Sequence, residues 1–322
     1  MINVFAAALL LRFLSAIFTA TVMADEISIR TFQVILSHEE PDRRQVGALR
    51  FRGGLDLHSK DGRFGGLSGL DISPDGRRLI AITDRGTWFT GRLTYDSAGQ
   101  LSGRSNTHMQ PVIGTDGNPL TGRASTDSES IARLIDGSLI IGFEQRHRLS
   151  RFTAPGAPAK PVGSPQALGT SPRNGGAEAV TRLWGNELLV LSERLEAGPG
   201  IAAGWVGTNR TWGAVGLRKT GLFHPVGAAT RDDGTVFLLE RRFTAIGGIA
   251  ARISRVPPGT IALGGVFEGS ELGERSAPLV AYNFEGIAVR RGAPGKTLIY
   301  IISDDNFHSL QRTLLLMFSL AE

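Results

Sequence analysis

The chain has 322 residues with 42 glycines, 15 prolines, no cysteine and a formal net charge of +5 at pH 7. The absence of cysteine excludes disulfides, thiolate metal sites and a cysteine nucleophile, while a chain of this length can bury a large core without such cross-links. The mild positive charge favours an anionic small molecule as partner, and no nucleic-acid binding is predicted because no basic stripe with interleaved aromatic residues occurs.

Residues 1–24 are predicted to be a secretory signal peptide. Residues 4–11 and 13–22 are apolar, and Val22-Met-Ala24 supplies small or apolar residues at the cleavage positions. Arg12 interrupts the apolar stretch and would be costly at the middle of a membrane span, which favours cleavage over a retained anchor. We therefore predict a periplasmic or secreted monomer with no stable membrane span after cleavage.

A short pattern then occurs five times along the chain. Each copy is an apolar segment, a turn and a second apolar segment that ends at an acid. Three copies begin with Glu129, Glu178 and Glu285, and two weaker ones, residues 68–84 and 227–240, lack the first acid. Apolar runs joined by turns such as Asp136-Gly137 are typical of β-hairpins. Copies about 50–60 residues apart indicate repeated four-stranded sheets, and hence a β-propeller.

The predicted fold is all-β, a single six-bladed β-propeller over residues 27–322. Five blades correspond to the five copies. The sixth blade is assembled from both ends of the chain, from the apolar segments 27–36 and 49–57 with a last strand at 314–320. Closing the ring with strands from both termini protects sheet edges that would otherwise be open.

The pattern also predicts a site. In an antiparallel hairpin the start of the first strand lies beside the end of the second, so both acids of a copy lie at the same end of the sheet. Five copies would bring eight carboxylates to one rim of the channel. Asp127, two residues before Glu129, falls on the same side of an extended strand and would join them.

Carboxylates crowded in this way either take up protons or bind cations. With oxygen ligands, no cysteine and only six histidines, Ca²⁺ is the favoured ion. The predicted metal ligands are Glu129, Glu178, Glu285, Asp304 and Asp305. The alternative is that acids at repeat positions form buried ion pairs between blades.

Two further groups of residues complete the predicted site. Candidates for proton transfer lie close to the repeat acids or belong to them, and they are Glu144, Glu193 and His224. Candidates for binding a phosphate group are arginines near the acids, Arg85, Arg148, Arg241 and Arg312. The same arginines could instead pair with acids of a neighbouring blade.

Over residues 49–320 the chain resembles the phytase-like family described as having esterase-like activity of phytase. The resemblance rests on several short motifs, namely Phe64-Gly-Gly-Leu-Ser-Gly-Leu70 with Thr83-Asp-Arg-Gly86, Asp127-Ser-Glu129 with Glu144 and Arg148, Asn174-Gly-Gly-Ala-Glu178, Leu239-Glu-Arg-Arg-Phe243, and Asn283-Phe-Glu-Gly286 with Ser303-Asp-Asp-Asn-Phe307 and Gln311-Arg-Thr-Leu314. It implies a β-propeller, a secreted or periplasmic location and hydrolysis of an ester.

Three functions are compatible with these observations. The first is a metal-dependent hydrolase of phosphate esters, in which carboxylates hold Ca²⁺ and arginines bind the phosphate. The second is a carboxylester or lactone hydrolase with a metal at the channel mouth, which needs fewer basic side chains. The third is a non-catalytic binding propeller of the cell envelope, with its acids locked in pairs between blades.

Overall fold

The structure is a computed structural model that describes residues 24–276, 279, 281–293 and 295–321. The predicted signal peptide, residues 1–24, lies outside this range except for its last residue. Helical structure in the described residues is limited to α1 (Arg123–Thr126) and a 3-10 segment at Gln166–Thr170. None of the helices in these ranges has the length and hydropathy needed to cross a membrane.

Strands make up most of the described chain. Those of the first half are, in chain order, β1 (Asp25–Glu26), β2 (Ile29–Gln33), β3 (Gln45–Val46), β4 (Leu49–Ser59), β5 (Leu67–Ile72), β6 (Arg78–Thr83), β7 (Thr87–Tyr95), β8 (Leu101–Pro111), β9 (Ser128–Arg133), β10 (Leu139–Phe143), β11 (Arg148–Phe152) and β12 (Lys160–Val162). Those of the second half are β13 (Ala177–Arg182), β14 (Leu188–Gly198), β15 (Ile201–Thr208), β16 (Thr211–Arg218), β17 (His224–Thr230), β18 (Val236–Thr244), β19 (Gly248–Val256), β20 (Val266–Phe267), β21 (Ser270–Arg275), β22 (Phe284–Arg291), β23 (Lys296–Ser303) and β24 (Thr313–Ala321).

Turn chemistry and apolar side chains explain why each repeat copy forms a hairpin. In the second copy, β9 and β10 pair antiparallel across the turn at Asp136 and Gly137. Gly137 has a φ of +82°, in the left-handed region that suits glycine, and the Asp136 carboxylate accepts a hydrogen bond from the Ser138 N–H at 3.1 Å. All of β10 is buried, as expected for a strand covered on both faces.

The strands form five sheets, which are the blades of a propeller. Blade 1 contains β5–β8 with β1, blade 2 β9–β12, blade 3 β13–β16 with β20, blade 4 β17–β19 with β21, and blade 5 β22–β24 with β4 and β2. The innermost strands β5, β9, β13, β17 and β22 each contact the next one, and β22 contacts β5. The ring of inner strands is therefore closed with five blades in the described part of the chain.

The prediction of a sixth blade is wrong, although strands from both ends of the chain do close the ring. The N-terminal strand β4 pairs with β24, β24 pairs with β23, and β2 adds to the outer side of β4. One repeat copy supplies only the two inner strands of a blade. The terminal segments therefore complete the blade of the fifth copy and do not form a separate one.

Apolar clusters fill all five boundaries between neighbouring blades in the described residues. Between blades 1 and 2, the Trp88 ring packs edge-on against the Phe152 ring, with their centroids 5.4 Å apart. Phe284 of blade 5 is fully buried in the cluster that it shares with Phe237 of blade 4. Burial of side chains of this size contributes roughly 1.5–3 kcal/mol each. These clusters hold the inner strands in a fixed ring.

A β-bulge occurs at the same place in every inner hairpin. In blade 2, for example, Ser128 pairs with Phe143 and Ser130 with Gly142, so Glu129 has no partner in the ladder. The residues skipped in this way are Ser68, Glu129, Glu178, Val226 and Glu285. Because a bulge bends the strand and re-aims a side chain, the fold places these five residues equivalently around the channel.

The bulges correct the alignment of the fourth copy by one residue. The bulged residue is Val226, where the repeat pattern predicts Gly227. The residue of the second strand that corresponds to Glu144 of blade 2 is then Arg241, where the pattern predicts Glu240. Blade 4 therefore contributes a cation at a position where the other four blades contribute acids.

Candidate functional site

The inner strands surround a narrow channel. Part of it is a cavity of about 10 Å³ lined by Glu129, Glu178 and Glu285 together with Ser68 and apolar residues. A single water molecule requires a space of roughly this size. At this point the channel is therefore a polar constriction with room for about one water molecule or a small ion. We refer to the end of the channel at which the bulged acids lie as the acidic end.

Eight carboxylates form one electrostatic group at the acidic end. Each either raises the pKa of another member or has its own pKa raised by one, and the group consists of Asp84, Asp127, Glu129, Glu144, Glu178, Glu193, Glu285 and Asp304. The repeat pattern predicted a cluster of eight, but with Glu240 in it. Glu240 is instead paired with Arg252 of the adjacent strand, with Nη2 and Oε1 2.7 Å apart. Asp127 takes the eighth place.

Three of these acids can bind one metal ion. Oxygen atoms of Asp127, Glu129 and Glu144 all lie within 4.8 Å of one another. Asp127 directly follows helix α1, Glu129 is the bulged residue of β9, and Glu144 follows β10. Short chain segments that are fixed by the blade 2 hairpin therefore bring the three carboxylates together.

The Glu144 carboxylate is held in place by backbone groups. Its Oε1 accepts hydrogen bonds from the N–H groups of Gly175 and Gly176, in the loop that leads into blade 3. Its own N–H donates to the Asp127 carbonyl at 2.8 Å. A carboxylate fixed in this way keeps its second oxygen available, which is the arrangement expected of a metal ligand supported by hydrogen bonds.

Burial and mutual repulsion leave the carboxylates short of compensating charge. Burial first, and then the neighbouring carboxylates, raise the pKa of Glu129 and that of Glu178 well above the usual range. Burial also raises the pKa of Asp84 to about 6 and that of Asp304 to about 8. Protons or a cation must therefore neutralise part of this group near neutral pH.

A buried oxygen without a partner gives a second indication of a cation. Oδ1 of Asp84, a member of the eight-acid group, is buried and has no hydrogen-bond partner among the described residues. Such orphan acceptors are costly and call for an ion or water. The donor set is made of oxygens alone and so fits hard cations such as Ca²⁺.

Arg241 is the internal cation of the site. Its Nη1 donates to Glu285 and its Nη2 lies 3.1 Å from Oε1 of Glu193. Blade 4 thereby links the acids of blades 3 and 5. Arg241 was predicted to bind phosphate, but both of its terminal nitrogens donate to protein groups, and the alternative of a pair between blades describes it better.

Two other predicted residues, His224 and Asp305, lie in different surroundings. His224 lies at the acidic end, where its Nδ1 is 2.9 Å from the Glu193 carbonyl oxygen. Asp305 lies beside this end but accepts hydrogen bonds from the N–H of Gly66 and the hydroxyl of Thr313, at 2.9 and 3.0 Å. It therefore ties loops together at the edge of the eight-acid group, where its charge helps to raise the pKa of Asp304.

Of the remaining predicted arginines, Arg85 is exposed at the acidic end, with its guanidinium 3.3 Å from the centre of the Phe307 ring. Arg148 lies over the Phe143 ring and donates to backbone carbonyls, and burial lowers its pKa to about 10. Arg312 pairs with Asp56 in blade 5. Only Arg85 among the four remains open to a ligand.

Further arginines that are not among the four predicted phosphate ligands lie on the same face. Exposed arginines follow or precede the acids in the loops that surround them, and they are Arg123, Arg146, Arg173 and Arg194. The loops are joined at this end, since the N–H of Gln145 donates to the Arg173 carbonyl and the N–H of Arg194 to the Gly175 carbonyl, both at 3.2 Å. An acidic centre is thus surrounded by exposed cations.

Comparison with protein families adds to this geometry. Residues 62–307 match the model of the phytase-like family, described by its esterase-like activity of phytase. The chain belongs to the phytase-like family. The match spans all five inner hairpins and so contains the whole eight-acid group. No curated protein sequence matches this chain.

This phytase-like protein is also similar, at low sequence identity, to solved structures. A gluconolactonase from Xanthomonas campestris is 11% identical, with 92% of this chain and 97% of that chain covered and a TM-score of 0.43. A selenomethionine-substituted virginiamycin B lyase from Staphylococcus aureus is 11% identical, with 91% and 100% covered and a TM-score of 0.39.

Proposed function

We propose that this phytase-like propeller is an exported, monomeric, metal-dependent hydrolase that cleaves small phosphate esters at the acidic end of its channel. The observation that carries the proposal is the buried group Asp127, Glu129 and Glu144, which has the oxygen atoms for a cation and lies among exposed arginines. Carboxylates alone would repel a phosphate ester, whereas carboxylates with a cation and surrounding arginines would attract it.

The crowded carboxylates call for a cation, and the residues present fit Ca²⁺. Asp127, Glu129 and Glu144 would hold the ion. When bound, it would neutralise phosphate charge and polarise the ester toward attack by water. Arg85 and Arg123 are exposed beside the triad and would bind phosphate oxygens, because guanidinium groups match phosphate geometry and keep their charge.

Two other carboxyl groups are suited to proton transfer. Asp84 and Asp304 have pKa values that burial raises to about 6 and 8, close to a neutral working pH. In this proposal they exchange protons with the attacking water or the leaving alcohol. Of the residues predicted for this role, Glu144 serves better as a ligand and Glu193 is paired with Arg241. His224 stays a prediction.

A second function has a specific observation in its favour. Arg148, Arg241 and Arg312, three of the four arginines predicted to bind phosphate, are engaged with protein groups. A carboxylester or lactone needs fewer cations than a phosphate ester does. The third possibility, a binding propeller without catalysis, is favoured only by the link that Arg241 makes between blades.

One set of assays separates the three functions. The purified protein is assayed with 4-nitrophenyl phosphate, 4-nitrophenyl acetate and a δ-lactone, each with Ca²⁺ and with chelator. We expect Ca²⁺-dependent release of phosphate that Glu129→Gln and Asp127→Asn abolish and that Glu271→Gln, an exposed acid of blade 4, leaves intact. Turnover of only the acetate or lactone would favour the second function, and no turnover the third.

Export is a separate part of the proposal. Residues 1–24 carry its support, and intact-mass measurement of protein recovered from the cell envelope or medium tests it. We expect a mature chain that begins after Ala24. An intact Met1 on protein confined to the cytoplasm would contradict export without affecting the chemistry proposed for the channel.

A further inference from the structure

The opposite end of the channel has a different character, and we refer to it as the arginine end. It opens into a cavity of about 510 Å³. Most inner strands end there in arginine or are followed by one, and these residues are Arg133, Arg182, Arg231, Arg290 and Arg291. Arg133 and Arg182 each come four positions after the bulged acid of the same strand. The repeat therefore places acids at one mouth and arginines at the other.

Acidic partners compensate only part of this charge. Arg133 pairs with Asp71, and Arg231 pairs with Asp233. Asp71 and Asp232 line the cavity with five arginines, and Asp233 pairs with Arg231 from just outside the lining, which leaves a net charge of 5 − 3 = +2. Such a concave basic surface concentrates anions.

Arg182 is held in place by neutral groups. Its Nε donates to the Arg133 carbonyl at 3.3 Å, and its Nη1 donates to the carbonyls of Leu183 and Gly185 at 3.2 Å. In the described ranges its Nη2 has no protein partner and no carboxylate pairs with it. The guanidinium is thus oriented but not neutralised.

Arg290 has a similar environment on the other side of the cavity. Its Nε donates to the Tyr300 hydroxyl and its Nη1 to the Arg291 carbonyl, each at 3.1 Å. Among the described residues, neither Arg290 nor the exposed Arg291 has a carboxylate partner. Fixed guanidinium groups lose little freedom on binding, so they can bind an anion without a large entropic cost.

From this arrangement we propose that the arginine end is a second ligand site, specific for a small soluble anion with two or more phosphate groups. Charge-assisted hydrogen bonds from Arg182, Arg290 and Arg291 recognise the phosphate oxygens. The volume of about 510 Å³ lies within the range of small-molecule sites and exceeds what a single monovalent ion needs. The inference does not depend on the function proposed for the acidic end.

The test uses inorganic pyrophosphate as the probe, with chelator present so that no metal recruits the anion to the acidic end. Binding is measured by calorimetry and by thermal shift against sodium chloride of equal ionic strength. We expect saturable binding to the wild-type protein. Arg182→Gln and Arg290→Gln should each weaken it about tenfold, as the loss of a charge-assisted hydrogen bond does.

Controls make the result decisive. Arg291→Gln changes an exposed residue, so the variant should fold normally but bind pyrophosphate more weakly than the wild type does. Arg30→Gln, an exposed arginine of β2 outside the cavity, and Glu129→Gln should bind as the wild type does. The proposal is overturned if wild-type protein responds to pyrophosphate as it does to chloride, if the three arginine variants bind normally, or if Glu129→Gln abolishes binding.

A lipid headgroup could present the same phosphate chemistry, and a second arm distinguishes it. Sedimentation is measured with phosphatidylcholine vesicles that contain phosphatidylglycerol. We expect the wild-type protein and Arg182→Gln to sediment with these vesicles to the same extent. Arg182-dependent binding to these vesicles without binding of pyrophosphate would replace the soluble anion by a membrane surface and overturn the proposal.

Discussion

Arg241 of blade 4 donates a hydrogen bond to Glu285 of blade 5, at a ring position where the other four blades carry an acid. The same guanidinium reaches Glu193 of blade 3. One arginine thus partly neutralises two neighbouring blades, and the remaining acids depend on protons or an added cation.

Replacing Arg241 should destabilise the propeller and increase its demand for cations. Arg241→Met keeps much of the side-chain volume but removes the buried cation that Glu193 and Glu285 share, and breaking a buried ion pair typically costs about 3–5 kcal/mol. We expect a lower urea midpoint in chelator and a larger Ca²⁺-induced rise in Tm than in wild type. Arg85→Met, at an exposed arginine, is the control. Equal midpoints for the two variants would show that the Arg241 link is not structural.

Calcium should stabilise the folded protein through the triad. A cation bound only by the native state stabilises it by about 2.7 kcal/mol at roughly a hundredfold excess over the dissociation constant. Mg²⁺ should have less effect because it requires tighter octahedral geometry. Melting curves of wild type, Asp127→Asn, Glu129→Gln and the control Glu271→Gln test this. Identical wild-type curves in Ca²⁺ and chelator would remove the support for a metal site.

The hydrogen bonds that Gly175 and Gly176 donate to Glu144 should increase the affinity for Ca²⁺, although neither glycine is itself a metal ligand. A Cβ added at Gly176 would collide with the His147 ring. Gly176→Ala should therefore shift this loop and weaken Ca²⁺ binding about tenfold, and adding His147→Ala should restore part of the affinity. A calorimetric double-mutant cycle measures the coupling. If the two changes are simply additive, the collision is not the cause.

Stability in chelator should fall as the pH rises from about 4 to 8. Folding raises the pKa values of Asp84 and Asp304 to about 6 and 8 from the ordinary value of 3.8, so the native state binds more protons than the unfolded state in this window. Linkage then makes the free energy of unfolding decrease with pH. The stabilisation of the folded protein by Ca²⁺ should increase with pH, because protons compete with the ion for the carboxylates.

Thermal melts at pH 5, 6, 7 and 8 test this dependence. Asp304→Asn should flatten the profile recorded in chelator between pH 6 and 8. A wild-type profile that rises with pH in chelator would contradict the pKa directions on which the prediction rests.

The sequence predicted the inner hairpins well because their signals are local. Asp136 and Gly137 specify a turn, and the apolar runs on either side specify strands. The number of blades depends instead on pairing between strands that are far apart in the sequence. Apolar segments such as 49–57 and 314–320 were recognised as strands, but only the pairing of β4 with β24 shows that they complete blade 5.

The site could be predicted to the level of a cluster but not residue by residue. The acids recur at fixed places in the repeat, which was sufficient to bring them to one end. A bulge changes which residue faces the channel, and no composition signal distinguished Val226 from Gly227 in the weakest copy. The two-residue spacing of Asp127 and Glu129 was the signal for the triad.

The closure of blade 5 also determines when this chain can finish folding. Arg312 and Asp56, which pair across β24 and β4, are 256 positions apart in sequence. Until the residues of β24 are available, blade 5 lacks the strand between β23 and β4, and the clusters on both of its sides remain incomplete. Contacts of such long range slow folding. The ring therefore cannot close until the last strand of the chain has been synthesised.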